Sequence, residues 1–296
     1  MVQYDARDWM KVLTQTHGSV MPRLLARLGS VALVAVAATY LFETRHFKFS
    51  PVAHTLVGAA LGLLLVFRTN TSYDRYWEGR KLLGGSVNRL RDLLRQVAGS
   101  VSGEVGQTLC QELRRRILIF FGLQRQYLRN ERDLAFASDQ LTETEKAALE
   151  PLTARPVAYL TCISSLLAHT YRDGLINGEL YRNLDQNVTS LMDNLGGAER
   201  IVKTPVPFAY AQHIKGFLFI FCFTLPFVLA EPTGRWNPLA SAAVAYALFG
   251  IEEIGVEIED PFGDDPNDLP IEAMEESLKK VTSDLVASCR FGEDAA

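Results

Sequence analysis

Residues 238–259 have the sequence PLASAAVAYALFGIEEIGVEIE, in which an apolar segment continues directly into a group of glutamates. An ionisable group at membrane depth is costly unless it faces water or a partner inside a bundle, so such groups point to an ion or substrate path. The glutamates are Glu252, Glu253, Glu257 and Glu259. They indicate a wet, inward-facing surface near the end of a membrane helix. A helix that simply leaves the bilayer near Ile251 would carry the same charges, and this segment alone does not separate the two interpretations.

The chain contains four apolar stretches, and this segment overlaps the last of them. They cover residues 28–42, 51–67, 207–230 and 236–256. Each is short or contains a charged or imidazole group, and apolar runs below about 18 residues are as often buried core helices as membrane spans. A soluble all-helical protein therefore stays open as an alternative. The short connections at 43–50 and 231–235, with every long segment on the opposite side, favour four membrane helices.

Basic residues agree with this arrangement. They precede the first apolar stretch and follow the second: Arg7, Lys11, Arg23, Arg27, Arg68, Arg75, Arg80 and Lys81. Cytoplasmic loops of membrane proteins carry an excess of Lys and Arg. We therefore expect a multi-pass protein of the bacterial inner membrane with both termini in the cytoplasm.

Composition supports a protein that is part membrane and part soluble. The 296 residues are 48% hydrophobic and 22% charged, with a formal net charge of −4. A chain without a strong positive field is a poor candidate for nucleic-acid binding. The composition therefore gives no reason to expect a nucleic-acid partner, and the apolar stretches make membrane lipid an expected one.

Signatures of catalysis or metal binding are absent from the sequence. Cys110, Cys162, Cys222 and Cys289 form no CxxC pair, and the five histidines show no paired metal spacing. No GxGxxG, Walker A or GxSxG pattern occurs. The expectation is a protein that is not an enzyme and needs no cofactor.

The segment between the second and third apolar stretches has helical periodicity. Amphipathic patterns over Arg80–Val97 and Leu109–Leu128 are separated by GSVSGEVG at 99–106. Thr142 and Glu145 have the spacing of a capping box, and the Asn-Leu-Gly-Gly at 194–197 indicates a helix stop. After Pro270, apolar residues recur at helical spacing, which predicts a last amphipathic helix that needs a packing partner.

The second apolar stretch has two distinct faces when it is placed on a helix. Gly58 and Gly62 form a GxxxG pair, which lets helices approach closely in lipid. At about 100° per residue, Leu56 and Ala60 fall nearly opposite that pair, and Val52 lies beside them. From the sequence alone, this second face could line a pore or could face lipid.

Two irregular segments flank the third and fourth apolar stretches. Val206 lies between Pro205 and Pro207, which excludes an ordinary helix there. The segment 260–268 is rich in acidic side chains, which are the hard oxygen ligands that Ca²⁺ takes. A turn capped by its own Asp and Asn side chains explains the same composition.

Four motifs in order resemble those of the bestrophin family of pentameric ion channels, in particular its bacterial branch. They are HGSVMP at 17–22, FRTNTSYDRYWEGR at 67–80, TPVPFAY at 204–210 and IEDPFGDDPNDLP at 258–270. The resemblance covers nearly the whole chain. It implies an all-α fold with four transmembrane helices per subunit and a helical cytosolic domain, assembled as a homopentamer.

The same resemblance implies roles for particular residues. The second apolar helix would line a hydrophobic neck through Val52, Leu56 and Ala60, and Val206 would form a second constriction at the cytosolic exit. Eukaryotic members bind calcium after the matching Pro-Phe-Gly turn, but here Pro266 and Asn267 interrupt the acidic run. The candidate ion-attracting or divalent-cation site comprises Glu252, Glu253, Asp260, Asp264, Asp265 and Asp268.

The expected function is a channel for small monovalent ions. Eukaryotic relatives conduct chloride, whereas the acidic groups near the fourth apolar stretch would favour cations, so both polarities stay open. Residues 1–70 are expected to form an N-terminal segment and the first two membrane helices, and 205–257 the third and fourth. Residues 71–204 are expected to form the cytosolic helical domain, and 258–296 the acidic turn and a C-terminal cytosolic helix. A non-conducting membrane scaffold is the main alternative, and a soluble helical enzyme is the third.

Overall fold

The structure is a computed structural model that describes residues 2, 4–47 and 49–288. Within these residues the secondary structure is helical and no strand is present. The ten α-helices are α1 (Trp9–Thr14), α2 (Met21–Arg45), α3 (Pro51–Ala98), α4 (Gly103–Leu128), α5 (Glu143–Leu149), α6 (Arg155–Arg172), α7 (Gly178–Lys203), α8 (Phe208–Thr233), α9 (Asn237–Glu257) and α10 (Ile271–Ser288). Cys289 and the GEDAA sequence at the end of the chain lie outside the described residues.

Several local predictions are confirmed. The apolar stretches fall within α2, α3, α8 and α9, and the last amphipathic pattern forms α10. The capping box is present, because the side chain of Thr142 accepts from the Glu145 N–H and the Glu145 carboxylate accepts from the Thr142 N–H. The break between the patterns at 80–97 and 109–128 is the short connection between α3 and α4.

Two helix boundaries differ from expectation. The second apolar stretch and the following amphipathic pattern are one helix, α3, of 48 residues. The stop predicted at 194–197 is wrong, because α7 continues to Lys203. Gly197 lies inside α7 where a Cβ would come within 2.8 Å of the Leu82 side chain. That glycine therefore serves close packing of α7 on α3, which a sequence cannot distinguish from a helix stop.

The chain divides into two compact units. Unit 1 comprises the described residues of Met1–Trp77 and Thr204–Asp268, and unit 2 those of Glu78–Lys203 and Leu269–Ala296. The core of unit 1 brings together side chains of α2, the first part of α3, α8 and α9, including Val31, Leu61, Phe221 and Phe249. Unit 1 is therefore assembled from segments that are distant in sequence.

A buried amide joins three helices of unit 1. The Nδ2 atom of Asn237 lies 3.2 Å from the Ala35 carbonyl, 3.1 Å from the Thr39 hydroxyl and 2.9 Å from the Pro226 carbonyl. Its Oδ1 atom accepts from the Ser241 hydroxyl at 2.9 Å. A polar side chain without such partners would be costly in an apolar core, so this amide specifies how α2, α8 and α9 meet.

Much apolar surface of unit 1 stays uncovered within the chain. Met21–Arg45, Pro51–Ala98 and the continuous run Phe208–Glu257 are each long and apolar enough to cross a membrane. Only 28%, 17% and 39% of their most apolar windows are buried inside the chain. Soluble proteins rarely expose apolar surface on this scale. The surface therefore fits contact with lipid or with other subunits, and it weighs against the soluble alternative.

The last helix has its packing partner within the chain. Ile271, Leu278 and Thr282 of α10 are buried in unit 2, where α10 packs against α4. Arg125 of α4 pairs with Glu275 of α10 at 2.7 Å. Because this partner is internal, α10 supplies no argument for association with another chain.

Gly58 also packs internally, and this leads to a testable prediction. A Cβ on Gly58 would lie 3.2 Å from the Phe221 ring, whereas one on Gly62 would meet nothing within 4 Å. Gly58→Leu should therefore force α3 from α8 and destabilise the subunit by about 1–3 kcal/mol. Gly62→Leu should leave subunit stability nearly unchanged. Thermal unfolding of the two detergent-purified variants makes the comparison, and equal losses would contradict the assigned orientation.

Candidate pore-lining site

One face of α3 is left uncovered by the rest of the chain. Val52 and Leu56 are 66% and 70% exposed, and Ala60 is exposed as well. Leu63 and Phe67 extend the same stripe toward the polar part of the helix. These residues recur every three or four positions, so they share one side of the helix. The structure thus places the three predicted neck residues together on one apolar, accessible face.

The opposite side of this part of α3 belongs to the core of unit 1. Leu61 and Leu65 are almost completely buried there. His54 lies 3.0 Å from the Thr224 hydroxyl and packs on the Phe221 ring. These contacts fix the rotation of α3 within the subunit and determine which of its residues remain accessible.

The second predicted constriction lies on a short irregular segment. The chain leaves α7 at Lys203 and enters α8 at Phe208, and the Pro205-Val206-Pro207 segment between them is not helical. Val206 is partly exposed, and its N–H donates to the Glu259 carboxylate at 2.9 Å. Because the flanking prolines have no N–H, this is the one backbone donor available across the three residues.

Glu259, whose carboxylate accepts from Val206, is itself contacted by two arginines of α3. Arg68 is 2% exposed, donates to the Ser72 hydroxyl at 2.9 Å and pairs with Glu259. Arg75 donates to the Glu259 carbonyl at 3.1 Å and to the Thr204 carbonyl at 2.6 Å. The planar, rigid fork of donors in a guanidinium suits such multiple contacts. We call Arg68, Arg75, Glu259 and the backbone of Thr204 and Val206 the aperture latch.

The charge on Glu259 is stabilised in this setting. Burial acts to raise the pKa of its carboxyl, but the Val206 N–H and the Arg68 guanidinium together lower that pKa below its usual value. Glu259 therefore stays ionised through neutral and mildly acidic pH. The latch keeps its ion pair over that whole range.

The glutamates within α9 have basic partners in the same unit. Glu252 is 3% exposed and lies 3.3 Å from the Lys215 ammonium. Glu253 accepts from Arg27 at 2.9 Å and lies 3.9 Å from Arg23. A carboxylate paired at this distance exerts little net attraction on a further cation. The pairing removes the electrostatic reason for expecting cation preference from these two residues.

The acidic segment after α9 is organised by its own backbone. Asp268 accepts from the Asp265 N–H at 2.8 Å, and Asp260 lies 3.5 Å from the Phe262 N–H. Asp265 also lies 3.6 Å from Arg23, whereas Asp264 is exposed. Among the described residues, no group of three or more His, Cys, Asp or Glu side chains is arranged to hold a metal ion. These contacts are those of a capped turn.

Asp268 makes the acidic turn sensitive to pH. Burial raises the pKa of its carboxyl to about 6, with a further upward contribution from the charges of Asp265, Asp260 and Glu257. The folded turn therefore binds a proton more tightly than the unfolded chain. The stability gained in this way is largest below the ordinary pKa of aspartate and is lost as pH rises through 6.

A pH titration of stability tests this assignment. The free energy of unfolding should fall between pH 5 and pH 7 by about 1 kcal/mol from this group. Asp268→Asn keeps an acceptor for the Asp265 N–H and should remove that component, while Asp264→Asn at an exposed position of the same turn should retain it. A pH profile of Asp268→Asn identical to that of the unmodified protein would refute the assignment.

The aperture latch was not recognised as a unit in the sequence. Arg68 and Arg75 lie in the motif at 67–80, and Glu259 lies in the motif at 258–270. The sequence did contain a signal for an ion pair, because one motif carries arginines and the other carries a glutamate at a helix end. Their distance along the chain hides the pairing until the fold brings them together.

The exposed apolar helices and the accessible stripe on α3 are typical of a helical membrane protein. A profile of the family described as Bacterial/Fungal Bestrophin protein matches residues 1–284. The chain belongs to that family. The identification from four short motifs is thereby confirmed.

Individual relatives cover nearly the full chain. A protein of Nostoc sp. named a voltage-dependent anion channel-forming protein is 36% identical over 286 residues, which are 95% of this chain and 92% of the relative. A Synechocystis protein of the same name is 35% identical over 284 residues, again 95% and 92%. The crystal structure of a bacterial Bestrophin homolog from Klebsiella pneumoniae superposes with a TM-score of 0.84 at 25% identity, covering 89% of this chain and 98% of the homolog.

Proposed function

We propose that the protein is a homopentameric channel of the bacterial inner membrane that conducts small anions, with chloride as the reference ion. The observation that carries the proposal is the accessible apolar stripe of Val52, Leu56 and Ala60 on α3, in a chain whose relatives are named anion channel-forming proteins. A hydrophobic constriction that gates by dewetting is an established way to control ion flow.

In the proposed assembly, five copies of α3 surround the conduction axis and form the neck. Ions then enter a wider vestibule and leave past a ring of five Val206 side chains. The pentamer is proposed from family membership and from the apolar surface that a single chain leaves uncovered. A monomeric mass for the detergent-solubilised protein would exclude it.

The proposed topology has four membrane helices per subunit. Phe208–Glu257 is one continuous candidate span by composition, and the short turn Gly234–Trp236 divides it into α8 and α9. We propose that this turn lies outside the bilayer, which places residues 1–70 and 205–257 in or beside the membrane. Residues 71–204 and 258–296 then lie in the cytosol with both termini.

The preference for anions over cations is supported by two observations. The curated relatives from Nostoc and Synechocystis carry anion channel names. Glu252 and Glu253 have basic partners, which removes the main charge-based argument for cations. A divalent cation at Asp260, Asp264, Asp265 and Asp268 is not required by this proposal.

The test is a reversal potential in planar bilayers that contain the purified protein under an asymmetric potassium chloride gradient. We expect the potential to approach the chloride equilibrium potential. A value near the potassium potential would overturn the anion assignment and leave a cation channel. Absence of any current, with intact oligomers, would instead favour the non-conducting scaffold.

Val206→Ala tests the proposed exit constriction. Shortening a side chain in a ring of five should widen the opening and change conductance or relative ion permeability. Residue 206 takes part in the latch through its backbone N–H, which donates to Glu259, so the latch should survive this substitution. Phe208→Ala, which changes an exposed residue just beyond Pro207, is the control. Unaltered conduction in Val206→Ala would remove the proposed role.

A further inference from the structure

Unit 2 contains a cavity that the proposed conduction does not use. Its volume is about 330 Å³, and it lies where the end of α4, the start of α6 and the end of α7 meet. This volume is at the lower end of the range found for small-molecule sites. Leucine and valine side chains line much of the wall, namely Leu123, Leu128, Leu152 and Val202.

A buried cation in the wall has no carboxylate partner. Arg155 is 8% exposed and donates to three carbonyls, those of Leu149 at 3.0 Å, Arg132 at 2.6 Å and Glu150 at 2.9 Å. Within the described part of the chain no carboxylate forms an ion pair with it. A guanidinium has five N–H donors, so two remain after these contacts. A buried charge without a counter-ion is unfavourable and attracts an anion.

The other charged side chains of the wall are paired with one another or exposed to solvent. The cavity is lined by three cationic side chains, Arg132, Arg155 and Lys203, and by two carboxylates, Glu131 and Glu199. Glu199 is already engaged, because it accepts from the Tyr127 hydroxyl at 2.6 Å and pairs with Lys203. Glu131 is exposed to solvent, which screens its charge. The buried guanidinium therefore dominates the electrostatics of the interior.

A second polar group in the wall, the side-chain amide of Gln126, lacks a hydrogen-bond donor for its oxygen among the described residues. Gln126 also lines the cavity and is 5% exposed. Its Nε2 atom donates to the Asp133 carbonyl, whereas its buried Oε1 atom has no hydrogen-bond partner in the described part of the chain. Such acceptors are rare in native structures and indicate a missing donor.

We propose that this cavity is a binding site for a small carboxylate that has a compact apolar frame and a hydroxyl group. The carboxylate binds the free N–H groups of Arg155. The hydroxyl donates to Gln126 Oε1, and the apolar frame packs on the leucine and valine wall. This site is separate from ion conduction and does not depend on the proposed channel function.

The test measures binding to the full-length, detergent-purified protein by calorimetry, with no ion flux involved. The probe is 4-hydroxybenzoate, and two comparison compounds each lack one recognition element. 4-Hydroxybenzamide lacks the negative charge and should bind at least about tenfold more weakly, as expected for loss of a hydrogen-bonded ion pair. Benzoate lacks the hydroxyl and should bind severalfold more weakly.

Two cavity variants are chosen at positions where a substitution should leave the fold intact. The Arg155 side chain also links neighbouring loops through its hydrogen bonds, so the substitutions are made at other residues. They are Lys203→Gln and Leu152→Trp, both at exposed positions. Lys203→Gln leaves Glu199 uncompensated and should weaken 4-hydroxybenzoate binding severalfold, while Leu152→Trp should fill the cavity and abolish binding. The matched controls are Lys146→Gln, which breaks the exposed pair with Glu143, and Val105→Trp on an exposed part of α4.

Saturable binding that follows this order, with both controls unchanged, supports the site. Absence of saturable binding, equal affinity for 4-hydroxybenzoate and 4-hydroxybenzamide, or full binding by Leu152→Trp overturns it. Equal affinity for benzoate and 4-hydroxybenzoate overturns the role of Gln126. Because conduction is not measured, none of these results depends on whether the protein passes ions.

Discussion

Leu56→Ala is expected to raise single-channel current severalfold and to reduce discrimination between ions. Leu56 is 70% exposed on the accessible stripe of α3, and in the proposed pentamer five copies of it surround the axis. A narrow apolar ring resists wetting, and trimming it widens the opening and lowers the barrier to hydrated ions. Symmetry applies one substitution at five places, so the effect should be large.

A substitution that adds bulk to the same stripe should have the opposite effect on current. Ala60→Leu adds bulk one helical turn further along the stripe and should reduce or abolish current. Leu33→Ala is the matched control, because Leu33 is a leucine of α2 with 71% exposure. Planar-bilayer recordings of the three variants make the comparison. If Leu56→Ala leaves current unchanged, or if Leu33→Ala raises it equally, Leu56 faces lipid rather than the axis.

Arg68→Met is expected to destabilise unit 1 by about 3 kcal/mol, because it leaves the Glu259 carboxylate partly buried without its main counter-ion. The substitution retains most of the side-chain volume and removes the charge. Glu259 then holds the Val206 N–H less firmly, so the exit constriction should also change. Thermal unfolding in detergent and reversal potentials in bilayers measure the two effects.

The control for the latch is Arg200→Met. Arg200 pairs with Glu78 at 2.6 Å, but both side chains are well exposed, and such pairs contribute at most about 1 kcal/mol. The double variant Arg68→Met/Glu259→Met should lose less stability than the sum of the single changes, because each removes the partner of the other. Equal losses in Arg68→Met and Arg200→Met would show that the latch does not stabilise the unit.

Local signals in the sequence predicted most of the helices. Apolar runs and helical periodicity identified α2, α8, α9 and α10, because burial in lipid or core dictates those patterns over many residues. The capping box at Thr142 was recognisable because its two partners are three residues apart. In the candidate site, the helical spacing of Val52, Leu56 and Ala60 placed them on one face, and the structure agrees.

Features that depend on distant pairing could not be predicted. The second apolar stretch and the amphipathic pattern from Arg80 were recognised as separate segments, yet one helix, α3, contains both, and Arg68 between them is buried against Glu259. Glu252 and Glu253 suggested a wet surface, and only the fold reveals the basic residues beside them. Gly58 and Gly62 looked equivalent, but only Gly58 meets a neighbouring ring. In each case the deciding partner is far away along the chain.

The discontinuous make-up of unit 1 imposes an order on its biogenesis. Leu24, Val31, Leu61 and Leu65 emerge from the ribosome early, while their partners Phe221, Ala245 and Phe249 follow only after all of Glu78–Lys203 has been translated. In the proposed topology, the first two hydrophobic helices must therefore remain in the bilayer with an unfilled contact face while the intervening segment is made. Nascent chains arrested before Thr204 should be held by insertion machinery or chaperones, and release from them should coincide with the arrival of α8 and α9.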